Sequence, residues 1–231
     1  MTHPPHIFGL YGGVPVAIQT LLACALVVLV LGLLVRRGLA RDEDGGLVPP
    51  ERFTLRGMLE VLLEALTSMM QDVIGPEWRR FAPIVTTMAL FILVSNLMGL
   101  VPGLTGPTSY IETNFSWALI AFCVYNYAAI KHHGPAYVKH FLGPVWWLAP
   151  LMLPVELVSH LARLLSLTIR LTANMFADHT LVALGLSFGL GLNFAIPWLF
   201  MGLGLFVAFL QAFIFAFLTM IYIGGALEEA H

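Results

Sequence analysis

The pattern of apolar positions divides this chain into five long runs, at residues 14–35, 83–101, 115–130, 146–185 and 194–227. A helix that crosses the hydrocarbon core of a bilayer needs about 20 such residues, so the first three runs each have the length of one span. The last two are longer. In each, helical periodicity continues for roughly 30 residues, or about 45–50 Å at 1.5 Å per residue. A bilayer core is only about 30 Å thick, so these two helices must tilt steeply, kink or project beyond it. Pro150 and Pro154 break the fourth run near its start, and Pro197 falls close to the beginning of the fifth, where a first helical turn tolerates proline.

Between the first two runs the pattern changes. Leu55, Met58, Leu59, Leu62, Leu63, Leu66, Met69, Met70 and Val73 recur at spacings of three and four, while Arg56, Glu60, Glu64, Gln71 and Asp72 fill the other face. That spacing predicts an amphipathic helix that lies on the membrane surface or covers neighbouring spans. The fold expected is therefore all-α: a polytopic membrane protein with about five membrane helices plus one amphipathic surface helix. One membrane domain would cover residues 1–231, with a span at 14–37, the surface helix at 53–79, a two-span hairpin at 81–131 and two long tilted helices at 145–227.

Composition supports this class. Of 231 residues, 59% are hydrophobic and 10% charged, against roughly a quarter charged in a soluble domain. A net charge of −2 gives no reason to expect nucleic acid as a partner. Cys24 and Cys123 sit inside apolar runs, with neither the spacing of a metal site nor the setting of a disulfide framework, and read as packing. The first run is too long for a signal-peptide core, has no basic residues before it and is followed by Arg36 and Arg37, so it reads as a retained span. Lysine and arginine then set the orientation. Arg36, Arg37, Arg41, Arg52, Arg56, Arg79 and Arg80 lie between the first two spans and Lys131 and Lys139 after the third, whereas residues 102–114 and 186–193 carry none. The expected arrangement has the N-terminus outside and the Glu228–Glu229 tail in the cytoplasm. Residues 42–50 read as a loop, and no inverted internal repeat is evident.

The fourth run carries the chemistry. Glu156, Ser159, His160, Arg163, Ser166, Arg170, Asn174 and Asp178 follow one another at spacings of three, one, three, three, four, four and four. At about 100° per residue they occupy an arc of roughly 120°. The rest of the wheel is Leu, Ile, Val, Ala and Phe, apart from Thr168, Thr172 and His179. Arg170 lies far from either end of its run, where burying a guanidinium costs about 2.5–3.5 kcal/mol on insertion scales. It never loses its proton, so it cannot carry one. It can repel mobile cations and attract a carboxylate. Its own helix offers Ser166 and Asn174 within one turn but no acid, which places its anionic partner on another helix or another chain. Glu156 and Arg163, seven residues apart on this face, form either a structural ion pair or part of a proton path. Toward the other end Asp178 and His179 bring a carboxylate beside an imidazole, a combination that titrates near physiological pH.

The last run is apolar except for Gln211, Thr219 and Tyr222, and it repeats Gly204, Ala208, Ala212 and Ala216 every four residues. Such a ridge of small residues lets another helix approach closely. A buried Gln211 needs hydrogen-bond partners. His3, His6, His132, His133 and His140 lack acids at ligand spacing, and neither HExxH nor GxSxG occurs. No cofactor and no metal is expected, and no catalytic turnover by this chain alone. A secondary transporter or channel would also use intramembrane charge but would show repeats and broken helices. An intramembrane enzyme would need a nucleophile and base or metal ligands on facing helices.

Three stretches resemble subunit a of the F-type ATP synthase membrane sector: RLTANMFADH at 170–179, SNLMGLVP at 95–102 with the PTSYIETN loop after it, and LQAFIFAFLTMIYI at 210–223. The resemblance runs from the amphipathic helix to the C-terminus. It implies the stator half of a rotary proton channel in a bacterial inner membrane. The implied partners are a ring of c subunits, the peripheral-stalk b subunits, the remaining synthase subunits and the lipid bilayer. It further implies that Arg170 faces the ring's carboxylate with Asn174 and Gln211 beside it, that Glu156 and Ser159 belong to the cytoplasmic half-channel and that His179 belongs to the other. Many bacterial members have glutamate where His179 stands, and some with histidine there carry a glutamate before the position of Gln211. Here that stretch reads GLGLFVAFL. Whether Asp178 or His179 relays protons stays open.

Overall fold

The computed structural model describes residues 16–41, 55–101, 104–134, 149–187 and 195–228, which form helices and connecting turns with no strand among them. Along the chain lie α1 (Val16–Arg41), α2 (Leu55–Ile74), α3 (Trp78–Gly99), α4 (Ile111–His133), α5 (Ala149–Ser187) and α6 (Ala195–Glu228). They gather into two compact units, Met1–Pro107 and Thr108–His231.

In the first unit α3 is the centre, with α1 and α2 packed on it. It buries Phe81, Val85, Met88, Ala89, Phe91, Ile92, Leu93, Ser95 and Asn96. Among the described side chains of α1 only a narrow seam faces inward: Thr20 and Cys24 are buried, while Leu22, Leu26 and Leu29 are each 60% exposed. A helix apolar all round with most of its surface bare is solvated by lipid. Leu66, Met70 and Ile74 on α2 are buried at four-residue spacing, and Glu64, Ser68, Gln71 and Asp72 are exposed. The amphipathic face thus packs on α3. A 3-10 turn, Gly75–Glu77, separates the two helices. Its Gly75 has φ 77°, a left-handed conformation that costs other residues a Cβ clash. After α3 the chain folds back on itself: a Cβ at Gly106 would stand 2.2 Å from the Ser95 carbonyl oxygen and 3.1 Å from the Gly99 nitrogen. Only glycine fits there.

The second unit is a three-helix bundle of α4, α5 and α6, each touching the other two. α4 contributes small side chains, Ala118, Ala121, Ala128 and Ala129, all buried. It closes on Gly134 at φ 56°, a positive φ that glycine adopts without a Cβ clash, and the Gly134 N–H donates to the Ile130 carbonyl at 2.8 Å. Lys131, His132 and His133 fill its last turn, where the helix dipole favours positive charge. The ridge expected on α6 is its packing face: Gly204, Ala208, Ala212 and Ala216 are all buried. At 39 and 34 residues, α5 and α6 would extend about 58 and 51 Å. Both exceed one bilayer crossing, as their apolar runs predicted.

Four described stretches have the length and apolar character to cross a membrane: Val16–Leu33, Gly57–Gly99, Pro150–Ala177 and Trp198–Glu228. The second includes both α2 and α3, so apolar character alone does not separate the amphipathic helix from a span. α4 is also long enough, with 23 residues, but Thr113, Asn114, Ser116 and Asn126 dilute its apolar character.

Candidate functional site

All the candidate residues belong to the second unit, and α5 carries most of them. Its inward stripe is His160, Leu164, Leu167, Thr168, Leu171 and Met175, each buried. The polar arc is centred to one side of that stripe. Glu156, Arg163, Arg170 and Asn174 are half-buried on the flank, and Ser159 and Ser166 are exposed. The arc therefore lies along the edge of the bundle, with one side against protein and the other bare. The side chains of Asp178 and His179 lie outside the described residues, although their backbone continues α5.

Arg170 stands roughly 30 Å from the start of α5 and 25 Å from its end, at 1.5 Å per residue. Among the described residues it has no carboxylate at ion-pairing distance. One turn further on, the Asn174 amide donates to the Gln211 side-chain oxygen on α6. Gln211 is 3% exposed, and its Nε2 has no acceptor among the described residues. On the opposite side of α5, fully buried Asn114 of α4 donates at 2.9 Å to the Thr172 hydroxyl and at 2.8 Å to the Thr108 carbonyl. Thr172 in turn donates to the Thr168 carbonyl at 2.9 Å. The turn that bears Arg170 is thus gripped from both neighbours, by Asn114 through Thr172 and by Gln211 through Asn174. Two amide bonds of this kind fix both the rotation and the height of a helix, because a slip would strand buried polar groups at about 1–3 kcal/mol each.

A second cluster sits toward the N-terminal part of α5. The Tyr125 hydroxyl of α4 lies 2.7 Å from His160 Nδ1, with the two rings stacked at 5.7 Å. His160 Nε2 lies 3.5 Å from a Glu156 carboxylate oxygen. The Arg163 guanidinium sits 5.3 Å from the centre of the Tyr222 ring on α6. Among the described residues Glu156 therefore meets His160, and Arg163 meets an aromatic face. The direct Glu156–Arg163 pair considered from sequence is not formed. Tyr125, His160, Arg163, Ile221, Tyr222, Gly225 and Ala226 line a cavity of about 200 Å³. Nearby, His133 Nε2 lies 3.0 Å from the Ala226 carbonyl and links the last turn of α4 to α6.

The sequence places His160 on the polar track without a role, shows Thr172 only as a polar exception on the wheel and Asn114 only within the PTSYIETN stretch, and does not mark Tyr125. Glu156 and His160 at i and i+4 was the available signal, since side chains at that spacing meet on a helix. Nothing in the local sequence marks Tyr125, and the PTSYIETN stretch that contains Asn114 gives it no role; what distinguishes both is the partner across the bundle.

A polytopic helical membrane protein, with a polar edge along one overlong helix and a small-residue ridge on the next, is the class these observations define. The chain belongs to the ATP synthase A chain family, whose family model matches residues 18–224. The ATP synthase subunit a of Desulfosudis oleivorans is 46% identical over 202 residues, covering 87% of this chain and 86% of the relative. ATP synthase subunit a 2 of Syntrophotalea carbinolica is 44% identical over 203 residues, covering 88% and 84%. The ATP synthase subunit a of Trichlorobacter lovleyi is 43% identical over 203 residues, covering 88% and 83%.

Proposed function

We propose that this chain is the proton-translocating stator subunit of an F-type ATP synthase in a bacterial inner membrane, with Arg170 dividing two offset half-channels against a ring of c subunits. The observation that carries this reading is Arg170 itself: a permanent cation midway along a 39-residue helix, half-buried, without a carboxylate among the described residues and beside a polar edge open on one side. A passing ring carboxylate supplies the missing anion. Close to the guanidinium that carboxylate is favoured in its ionised form and gives up its proton. Elsewhere on its circuit it faces lipid, where only the neutral form is tolerated. Rotation therefore requires a proton to enter at one half-channel and leave by the other, and the fixed charge blocks a direct leak between them.

Glu156 and Ser159 serve the cytoplasmic half-channel, about 15–20 Å along α5 from Arg170. Asp178 and His179 serve the opposite one. The Asn174–Gln211 and Asn114–Thr172 bonds hold the intervening turn at one height against the ring. The chain has no turnover of its own and works with the c-ring, the peripheral-stalk b subunits and the soluble sector. The N-terminus lies outside and the C-terminus in the cytoplasm, as the lysine and arginine distribution supports. Affinity purification of the tagged chain in mild detergent tests the assignment. A small, carboxylate-bearing c subunit and a nucleotide-hydrolysing soluble sector are expected to co-purify, and a chain that purifies as an isolated transporter contradicts it.

A further inference from the structure

The proton path proposed above uses Glu156, half-buried at the edge of the bundle, and assigns nothing to its inner side. Behind it, toward the bundle interior, stand His160 and Tyr125. His160 is 6% exposed and Tyr125 is 3% exposed, so neither is a solvated surface group. The stacked rings and the 2.7 Å contact fix the imidazole at Nδ1, while its Nε2 faces the carboxylate at 3.5 Å. On the same wall, the cavity is lined by the guanidinium of Arg163 and the rings of His160, Tyr125 and Tyr222. About 200 Å³ with several polar partners is room enough for a few ordered waters, which need about 30 Å³ and two to four hydrogen bonds each.

We propose that His160 is a proton-relay residue between Glu156 and this cavity, and that Tyr125 is the positioning residue that fixes its tautomer. The inference rests on the stator reading but adds a route to it. With the Tyr125 oxygen accepting from Nδ1–H, Nε2 carries the ring's lone pair, 3.5 Å from a Glu156 carboxylate oxygen. A protonated Glu156 delivers its proton from the carboxyl oxygen to Nε2, leaving a carboxylate beside an imidazolium. The ionised Glu156 side chain then withdraws toward the open edge of the bundle, Nε2 releases that proton to cavity water, and the imidazole returns to the neutral tautomer it began with. One proton moves from oxygen to nitrogen to water, and no other bond changes. The reverse sequence loads Glu156. An imidazole suits the step because its free and protonated forms are both populated near neutral pH. The groups that face His160 set the balance: Tyr125 from α4, Glu156 and Arg163 from α5, and Tyr222 from α6, with His133 at the neighbouring end of α4.

The test is ATP-driven acidification of inverted vesicles carrying the whole synthase, with assembly measured by co-purification and Arg170→Ala run alongside. His160→Gln keeps a hydrogen-bonding side chain of similar size but cannot carry a proton. His160→Glu restores a titratable group at the same length. The relay predicts that His160→Gln slows pumping by roughly tenfold or more and that His160→Glu recovers part of the loss. A packing role predicts the opposite order, since a neutral amide is better tolerated in the interior than a carboxyl group. Tyr125→Phe removes only the hydroxyl and is expected to slow pumping several-fold while raising the effect of deuterated water on the rate. Normal pumping by assembled His160→Gln overturns the proposal, as does a slow His160→Gln that His160→Glu does not improve. Should neither His160 variant assemble, Tyr125→Phe decides: an unchanged rate and isotope effect overturns the relay. If Arg170→Ala itself pumps normally, the stator reading fails first, and the two failures are thereby distinguished.

Discussion

Asn174 on α5 donates a hydrogen bond to Gln211 on α6, one helical turn beyond Arg170. Two long helices that share an amide bond at this height cannot rotate independently, so the position of Gln211 reports on the face that carries the arginine. The pair is therefore the natural place to lock the helices. With Cys24 and Cys123 replaced by serine, Asn174→Cys combined with Gln211→Cys is expected to form an intramolecular link with a short bifunctional thiol reagent. Ile169→Cys with Gln211→Cys is expected not to, because Ile169 is 59% exposed on another face of α5. A mobility shift on denaturing gels distinguishes the two, and linking of only the second pair would contradict the packing.

The return of the chain after α3 depends on one missing methyl group. Gly106→Ala would put a Cβ 2.2 Å from the Ser95 carbonyl oxygen, and backbone on both sides cannot yield cheaply. We expect a loss of about 1–3 kcal/mol, read as reduced steady-state level and a lower thermal inactivation midpoint of the assembled complex. Gly75→Ala, at φ 77°, should cost about 1–2 kcal/mol by forcing a side chain into a left-handed turn. Unchanged midpoints for both would show that the local geometry is wrong.

Orientation has its own test on α4. Glu112 and Lys131 are both exposed and stand about 29 Å apart along the helix, close to the thickness of a bilayer core. Cysteine at Glu112 is expected to react with an impermeant thiol reagent added to intact cells, and cysteine at Lys131 only in inverted vesicles. The reverse pattern would overturn the lysine and arginine argument for the topology.

Much of the fold was legible because periodicity over 20 to 40 residues is a strong signal. The starts and ends of α5 and α6 fall close to the apolar runs at 146–185 and 194–227, and the small-residue ridge of α6 is the face that packs. The α2 pattern was legible as an amphipathic helix, but not what its apolar face covers: Leu66, Met70 and Ile74 lie against α3, and no pattern within α2 encodes that choice. At the site, Arg170, Asn174 and Gln211 stood out because each is polar in an apolar setting. Tyr125 did not, and Asn114 and Thr172 gave no sign of what they meet. A tyrosine or threonine in a membrane helix is common enough to pass unmarked until its partner is known, and those partners lie 35 and 58 positions away. Helix spacing favours His160, four residues on, over Arg163, seven residues on, as the neighbour of Glu156, but it does not say what Arg163 meets instead. The bundle decides, by giving Arg163 the Tyr222 ring.

The central claim is that Arg170 is a fixed charge which the ring's carboxylate must pass. The most direct measurement is ATP-driven quenching of a pH-sensitive dye in inverted vesicles, with assembly checked by co-purification of the ring and soluble sector. Arg170→Ala is expected to assemble and to abolish pumping, with passive proton leak through the membrane sector retained or raised. Arg170→Lys is expected to be severely impaired as well, because an ammonium has a different reach and hydrogen-bond geometry and loses its proton more readily on burial. Near-normal pumping by an assembled Arg170→Ala complex would contradict the account.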